Sequence, residues 1–181
     1  MTDETDAALI DRCRNGDRDA FSLLLGRCEQ QVFAAAFRIL HHREDAIDVT
    51  QTAFLKAYEQ FGRYDAGRQF RGWLYRIAVN EALDAVRRRH GGSEPLADDS
   101  VDAGETPDEA AIHDENDAVM QRALMAIRTE YRVVIVLKHL QGCSYEEMAQ
   151  VLDCPVKTVK SRLFTARQAL RDVLVARGQL T

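Results

Sequence analysis

Proline is scarce in this chain: three residues in 181, two of them confined to one acidic stretch. Most of the sequence therefore carries no breaker of regular helix. No run of apolar residues approaches the length of a membrane span, which argues against an integral membrane protein. The first residues, MTDETDAALIDR, are acidic and lack the basic and apolar regions of a secretion signal, so the expected compartment is the cytoplasm. The four cysteines, Cys13, Cys28, Cys143 and Cys154, form no CxxC pair and no Cys/His cluster of zinc-binding spacing. They read as reduced thiols, some buried as small hydrophobes, with no metal site and no cofactor implied. Adjacent His41 and His42 point about 100° apart on a helix, a poor start for metal ligation. No glycine-rich phosphate loop and no nucleophile–base motif is present, which argues against an enzyme.

Charge is unevenly placed. The net value is −5. Residues 1–92 carry 14 basic and 14 acidic residues; 93–117 carry 10 acidic and no basic ones; 118–181 carry 10 basic and 5 acidic. The whole negative excess thus lies in GSEPLADDSVDAGETPDEAAIHDEND, which has few large apolar residues and cannot bury enough surface to offset its ordering. It is expected to be a flexible linker over 93–116, joining an N-terminal domain at 1–92 to a C-terminal one at 117–181. Both halves read as helical, so the predicted fold is all-α: two small helical domains on an acidic tether.

The strongest motif is GCSYEEMAQVLDCPVKTVKSRLFTARQAL, from Gly142 to Leu170. Ser144 and Glu147 have capping-box spacing. Asp153 falls in a turn where left-handed backbone is needed, and Pro155 near the first position of the next helix. Val156, Val159, Leu163, Ala166 and Leu170 make an inward stripe. Lys157, Lys160, Ser161, Phe164 and Arg167 fall off it, where a major groove can meet them. The pattern is a helix-turn-helix with a cationic second helix. Two further helices are expected before it, near 114–128 and 130–141, with Gly142 past the end of the second. The β-branched run Val133–Val136 favours a strand by propensity, but its helical spacing with Leu137 and Leu140 decides for helix.

In the N-terminal half one long helical pattern runs from Phe21 to Leu40 behind Asp17 or Asp19. A second runs from about Glu44 to Gln60 and a third from about Trp73 to Arg89, with Leu74, Ile77, Ala78, Leu83 and Val86 inward. Seven of the 13 aromatics lie in 54–75. Arg63, Arg68, Arg71 and Arg76 are interleaved with them. Rings that stack on bases beside cations that follow phosphates suit single-stranded nucleic acid, each stacked base contributing about 1–3 kcal/mol. Phe54, Tyr58 and Trp73 have the spacing of core residues, whereas Tyr64 and Phe70 lie in a glycine-flanked loop and are expected to be exposed. Arg87, Arg88 and Arg89 end the third helix, where they offset its dipole or contact phosphate.

One signal for duplex DNA and one for an unpaired strand thus sit on two domains. In this respect the chain resembles the extracytoplasmic-function (group IV) sigma factors of bacteria over nearly its whole length. EDAIDVTQTAFLKAY looks like that family's polymerase-binding helix, FRGWLYRIAVNEALDAVRRR like its −10 recognition and melting segment, and the helix-turn-helix like its −35 reader. The resemblance implies an initiation factor whose partners are core RNA polymerase, through the clamp helices and flap of the large subunits, promoter DNA and an anti-sigma factor. It implies polymerase contacts at Asp45, Asp48 and Gln51. It assigns −10 single-strand contacts to the loop from Arg63 to Arg71, with Tyr64, Arg68 and Phe70, and then to Trp73, Arg76 and Asn80. It assigns −35 contacts to Lys157, Thr158, Lys160, Ser161, Arg162, Phe164 and Arg167. The chain departs from the pattern at Ile47 and Thr52, where an acid is usual, at Ile127–Glu130, where prolines are, and at Asp153, where glycine is. Two other readings compete: a helix-turn-helix regulator that is not a polymerase subunit, which leaves the aromatic–arginine loop unexplained, and an adaptor, which needs no cationic helix.

Overall fold

The computed structural model describes residues 4–65, 67, 69–89 and 115–179, with backbone alone at 115 and 116. Among them every regular element is helical. Five helices form the N-terminal unit: α1 (Asp6–Arg14), α2 (Arg18–Gly26), α3 (Glu29–Leu40), α4 (Arg43–Gln60) and α5 (Phe70–Arg89). Four form the C-terminal unit: α6 (Glu115–Met125), α7 (Thr129–Ile135), α8 (Tyr145–Leu152) and α9 (Val156–Ala176). A 3₁₀ turn at Phe61–Arg63 follows α4, and a π-helical turn at Val136–Leu140 prolongs α7. The linker expected at 93–116 falls, but for its last two residues, outside the described residues.

The pattern from Phe21 to Leu40 is two helices, not one. The chain turns at Arg27 and Cys28, after Gly26, and Arg27 is tied to Asp6 and to the Glu4 carbonyl, each at 2.6 Å. The break keeps the apolar stripe inward: Phe21, Leu24, Cys28, Val32, Ala36 and Ile39 are all buried. Asp17 is the N-cap of α2, its carboxylate accepting from the Asp19 and Ala20 amides. Helix α1, capped by Thr5, was not foreseen; Leu9 and Ile10 anchor it in the core. α5 begins at Phe70, earlier than expected, and Leu83 is only half buried.

Val133, Val134, Ile135 and Val136 are helical and buried, so packing overrides their strand propensity. The π turn lets the Gln141 amide reach the Val136 carbonyl at 3.0 Å, and Gly142 follows at φ +67°. His41 ends α3 in the left-handed region and packs its ring on Phe37, while His42 caps α4 by accepting from the Asp45 amide at 3.3 Å. The four cysteines are free thiols, Cys28 and Cys143 buried.

The two units touch along two seams. Arg38 of α3 donates to Asp117 at 2.8 Å and to Gln121 at 3.3 Å. Helix α8 lies against α5, where the Tyr75 hydroxyl donates to Gln141 at 2.5 Å.

Candidate nucleic-acid interface

The helix-turn-helix is built as its sequence requires. Ser144 Oγ accepts from the Glu147 amide at 3.1 Å, and the Glu147 carboxylate accepts from the Ser144 amide at 2.6 Å. That backbone bond is the main reason the Glu147 carboxyl is held below the usual range. Asp153 turns the chain at φ +50°, and Pro155 caps α9 from just outside it. Val159, Leu163 and Ala166 are buried, with Val156 and Leu170 half buried beside them.

Lys157, Lys160, Ser161, Phe164 and Arg167 all face outward on α9, and Thr158 and Arg162 are half buried at its margin. Phe164 is 66% exposed, an apolar ring that folding leaves in water. Lys160 stands 5.3 Å from the centre of the Tyr145 ring, and Arg167 donates to His139 Nε2 at 3.3 Å. Burial first, then Arg167 and Lys138, lowers the His139 pKa, so His139 adds no charge at neutral pH. The outward face of α9 is cationic around one exposed ring, suited to phosphates flanking a base edge.

The aromatic loop differs from expectation. Tyr64 and Phe70 are buried, at 5% and 4% exposure. Tyr64 lies 5.1 Å from Trp73 and 5.6 Å from Phe70, and Phe61 stacks on Tyr64 at 5.8 Å. Phe21 meets Phe61 edge-on at 5.2 Å. The rings are a small core under the loop: with only a 3₁₀ turn there, their own packing must hold the chain. Arg63, Arg71 and Asn80 remain exposed, Trp73 and Arg76 are half buried, and Arg68 lies outside the described residues. Trp73, Arg76 and Asn80 share one side of α5 by helical spacing.

Asp48 and Gln51 are exposed on α4. Asp45 is not free: Arg89 of α5 reaches its carboxylate at 2.5 Å. Asp45, Asp48, Val49, Thr52, Arg88 and Arg89 line a groove of about 480 Å³ between α4 and α5. Below it Lys56 pairs with the buried Glu81. Sequence reasoning missed two residues on this surface. Leu55, 60% exposed, and Tyr58, also exposed, continue the face of Asp48 and Gln51. The steps 48, 51, 55 and 58 were legible, but Tyr58 read as core by its helical spacing and Leu55 drew no assignment.

Two family comparisons cover most of the chain. Sigma-70 region 2 matches residues 24–91, and Sigma-70, region 4 matches residues 118–170. The RNA polymerase sigma-H factor of Pseudomonas aeruginosa is 35% identical over 96% of this chain and 96% of its own. The chain belongs to the sigma-70 family, in its extracytoplasmic-function group. The ECF sigma-E factor of Escherichia coli K12 is 36% identical over 92% of both chains, and SigW of Bacillus subtilis 33% over 91% of this chain and 94% of its own. Among solved structures, CnrH in complex with the cytosolic domain of CnrY superposes with a TM-score of 0.75 at 28% identity, covering 96% of this chain and 99% of that one. This sigma factor is therefore a polymerase-associated, promoter-specific initiation factor, of a family that is not enzymatic. Its partners are core RNA polymerase and promoter DNA. No helix among the described residues is long and apolar enough to cross a membrane, and no group of three or more His, Cys, Asp or Glu among them is arranged to hold a metal.

Proposed function

We propose that the two halves of this sigma factor divide promoter recognition between paired and unpaired DNA. The domain at 117–181 lays α9 into the −35 major groove. Lys157, Lys160, Arg162 and Arg167 meet phosphates there, while Thr158, Ser161 and Phe164 reach base edges. The domain at 1–92 holds the −10 strand once it separates, with Arg63, Arg68, Arg71 and Arg76 along its phosphates and Asn80 on a base edge. Tyr64 and Phe70 serve as the packed floor of that loop instead of as stacking platforms. Core polymerase docks on α4 through Asp48, Gln51, Leu55 and Tyr58, with Asp45 beside them. Segment 93–116 tethers the two. The observation that carries this reading is the outward face of α9, where three exposed cations, Lys157, Lys160 and Arg167, surround a largely exposed Phe164 ring.

The chain acts in the cytoplasm and catalyses nothing itself; the chemistry is the polymerase's. An anti-sigma factor holds it inactive, a reading supported by its likeness to CnrH bound to a cytosolic domain of CnrY. Run-off transcription with core polymerase on a promoter library tests the proposal: defined start sites that depend on the chain are expected. Tight binding to duplex without polymerase, and no start sites with it, would leave a helix-turn-helix regulator instead.

A further inference from the structure

The turn between α1 and α2 is held firmly. The Gly16 amide donates to the Cys13 carbonyl at 3.0 Å and the Asp17 amide to the Arg12 carbonyl at 3.1 Å, with Gly16 at φ +88°. These are the paired bonds of a Schellman stop. Asp17 then caps α2 and also grips Arg12 at 2.7 Å. Arg14 and Arg18 stand on either side of this turn, both exposed. Neither is ion-paired among the described residues, whereas Arg12 and Arg27 both are.

Arg18 is informative because its place works against the fold. It is the first residue of α2, where the dipole is positive and acids are favoured. Arg14 suits the last turn of α1, but Arg12 already serves there. A cation at the wrong end of a helix, with no ion pair to offset it, breaks a local rule without a gain inside the fold.

The turn belongs to the wall of the aromatic loop. Phe21, one turn along α2 from Arg18, meets Phe61 at 5.2 Å, Tyr58 at 5.4 Å and Phe70 at 6.4 Å. Burial raises the Tyr64 pKa, and Arg14 is the first charge that acts to lower it. Tyr64 directly follows Arg63, the first of the cations assigned above to the −10 strand.

We infer that the α1–α2 turn extends the single-strand surface: Arg14 and Arg18 hold phosphates of the unpaired strand beyond those at Arg63. The contact is to the backbone and reads no sequence. A turn already fixed, carrying two charges with no ion pair to break, takes up a phosphate at little cost in ordering. The inference rests on the assignment of Arg63 to the −10 strand.

The test uses the full chain and a fluorescein-labelled single-stranded DNA of mixed sequence, with anisotropy titrations at several salt concentrations. Each phosphate contact on a single strand contributes about 0.7 to the slope of log affinity against log salt. Arg14→Ala and Arg18→Ala should each make the slope shallower by about 0.7, and the double variant by about 1.4. Arg14→Lys should keep the parental slope, since an ammonium also neutralises a phosphate. Melting temperatures should stay parental, with Arg18→Ala no less stable because the dipole no longer opposes a cation. Arg43→Ala makes the same charge change at the exposed start of α4, the end away from the loop, and should leave the slope unchanged. An equal fall there would overturn the inference in favour of bulk charge. Parental slopes in the Arg14 and Arg18 variants also overturn it. Arg63→Ala separates the two layers. A fall at Arg63 with none at the turn removes the inference alone; no fall at Arg63 removes its −10 assignment, and the inference with it.

Discussion

Arg132 and Ile39 are 93 positions apart, and the Arg132 guanidinium donates to the Ile39 carbonyl at 2.5 Å across the two units. The same side chain donates to the carbonyls of Leu124, Met125 and Ile127 at 2.8–3.2 Å. Ile39 and the pair Leu124–Met125 lie in the last turns of α3 and α6, where helix carbonyls lack intrahelical partners and the dipole end is negative. One buried cation therefore caps two helices, with no carboxylate involved. Burial lowers its pKa to about 10, which leaves it charged at neutral pH.

Replacing Arg132 by Ala strands those carbonyls away from water and should cost about 3 kcal/mol of stability. Arg132→Lys should recover less than half, since an ammonium on a flexible stem cannot reproduce the planar fork. Urea titrations of the three proteins check both. Equal stability of the Ala variant and the parent would show that water replaces the guanidinium.

The capping box yields a pH dependence with a definite sign. The Glu147 carboxyl has a lowered pKa in the fold, chiefly from the Ser144 amide. Its contribution is complete above the ordinary carboxyl value of about 4.3 and is lost as pH falls through its folded value. The stability gap between parent and Glu147→Gln should be constant around neutrality and close only in acid. Ser144→Ala should cost about 1 kcal/mol at every pH where the fold survives. Denaturant midpoints across pH measure both effects.

These features differ in how well the chain announced them. The capping box, the left-handed Asp153 and the α9 stripe were all legible, because each depends on neighbours within one or two turns. Arg132 was not: nothing in its surroundings in sequence distinguishes a buried arginine from a solvated one, and its partner carbonyl comes from α3. Tyr64 and Phe70 misled for a related reason. Glycines and arginines around them mark a loop, and loops are normally exposed, but Phe21 arrives from α2 to complete a core beneath this one. Tyr58 misled in the opposite direction, since core-like spacing says nothing of which face a partner takes. The seam between α5 and α8 was likewise invisible, being a contact between segments that local pattern treats separately.

On α9 two kinds of contact should separate by salt. Lys160→Ala is expected to weaken −35 duplex binding by the holoenzyme and reduce its salt slope by about one, because one fewer counterion is released. Phe164→Ala should weaken binding with the slope unchanged, since a ring releases no counterion. Anisotropy titrations at several salt concentrations measure the slopes. An unchanged slope for Lys160→Ala would assign Lys160 to the Tyr145 ring alone.

Docking on α4 predicts that folding and polymerase binding come apart at Leu55. A residue so exposed should tolerate Leu55→Asp within about 0.5 kcal/mol of parental stability. Affinity for core polymerase should nevertheless fall at least ten-fold if Leu55 sits near the centre of the interface. Competition binding against the parent chain gives the ratio. Parental affinity would move the docking surface off this face.

Tyr64 allows the scaffold and the base-contact readings of the loop to be told apart. A buried ring meeting Phe61, Phe70 and Trp73 at 5.1–5.8 Å leaves a cavity when removed. Tyr64→Ala should therefore cost about 3–5 kcal/mol. Tyr64→Phe keeps the ring and should stay within about 1.5 kcal/mol of the parent. Promoter opening by holoenzyme, followed by permanganate reactivity of unpaired thymines, should then track stability: impaired for Ala, near parental for Phe. If Tyr64 contacted bases, Tyr64→Ala would impair opening while leaving the melting temperature in place, because an exposed ring contributes little to the fold. The packed cluster predicts the reverse order of sensitivity, with heat lability appearing before any defect in strand capture at low temperature.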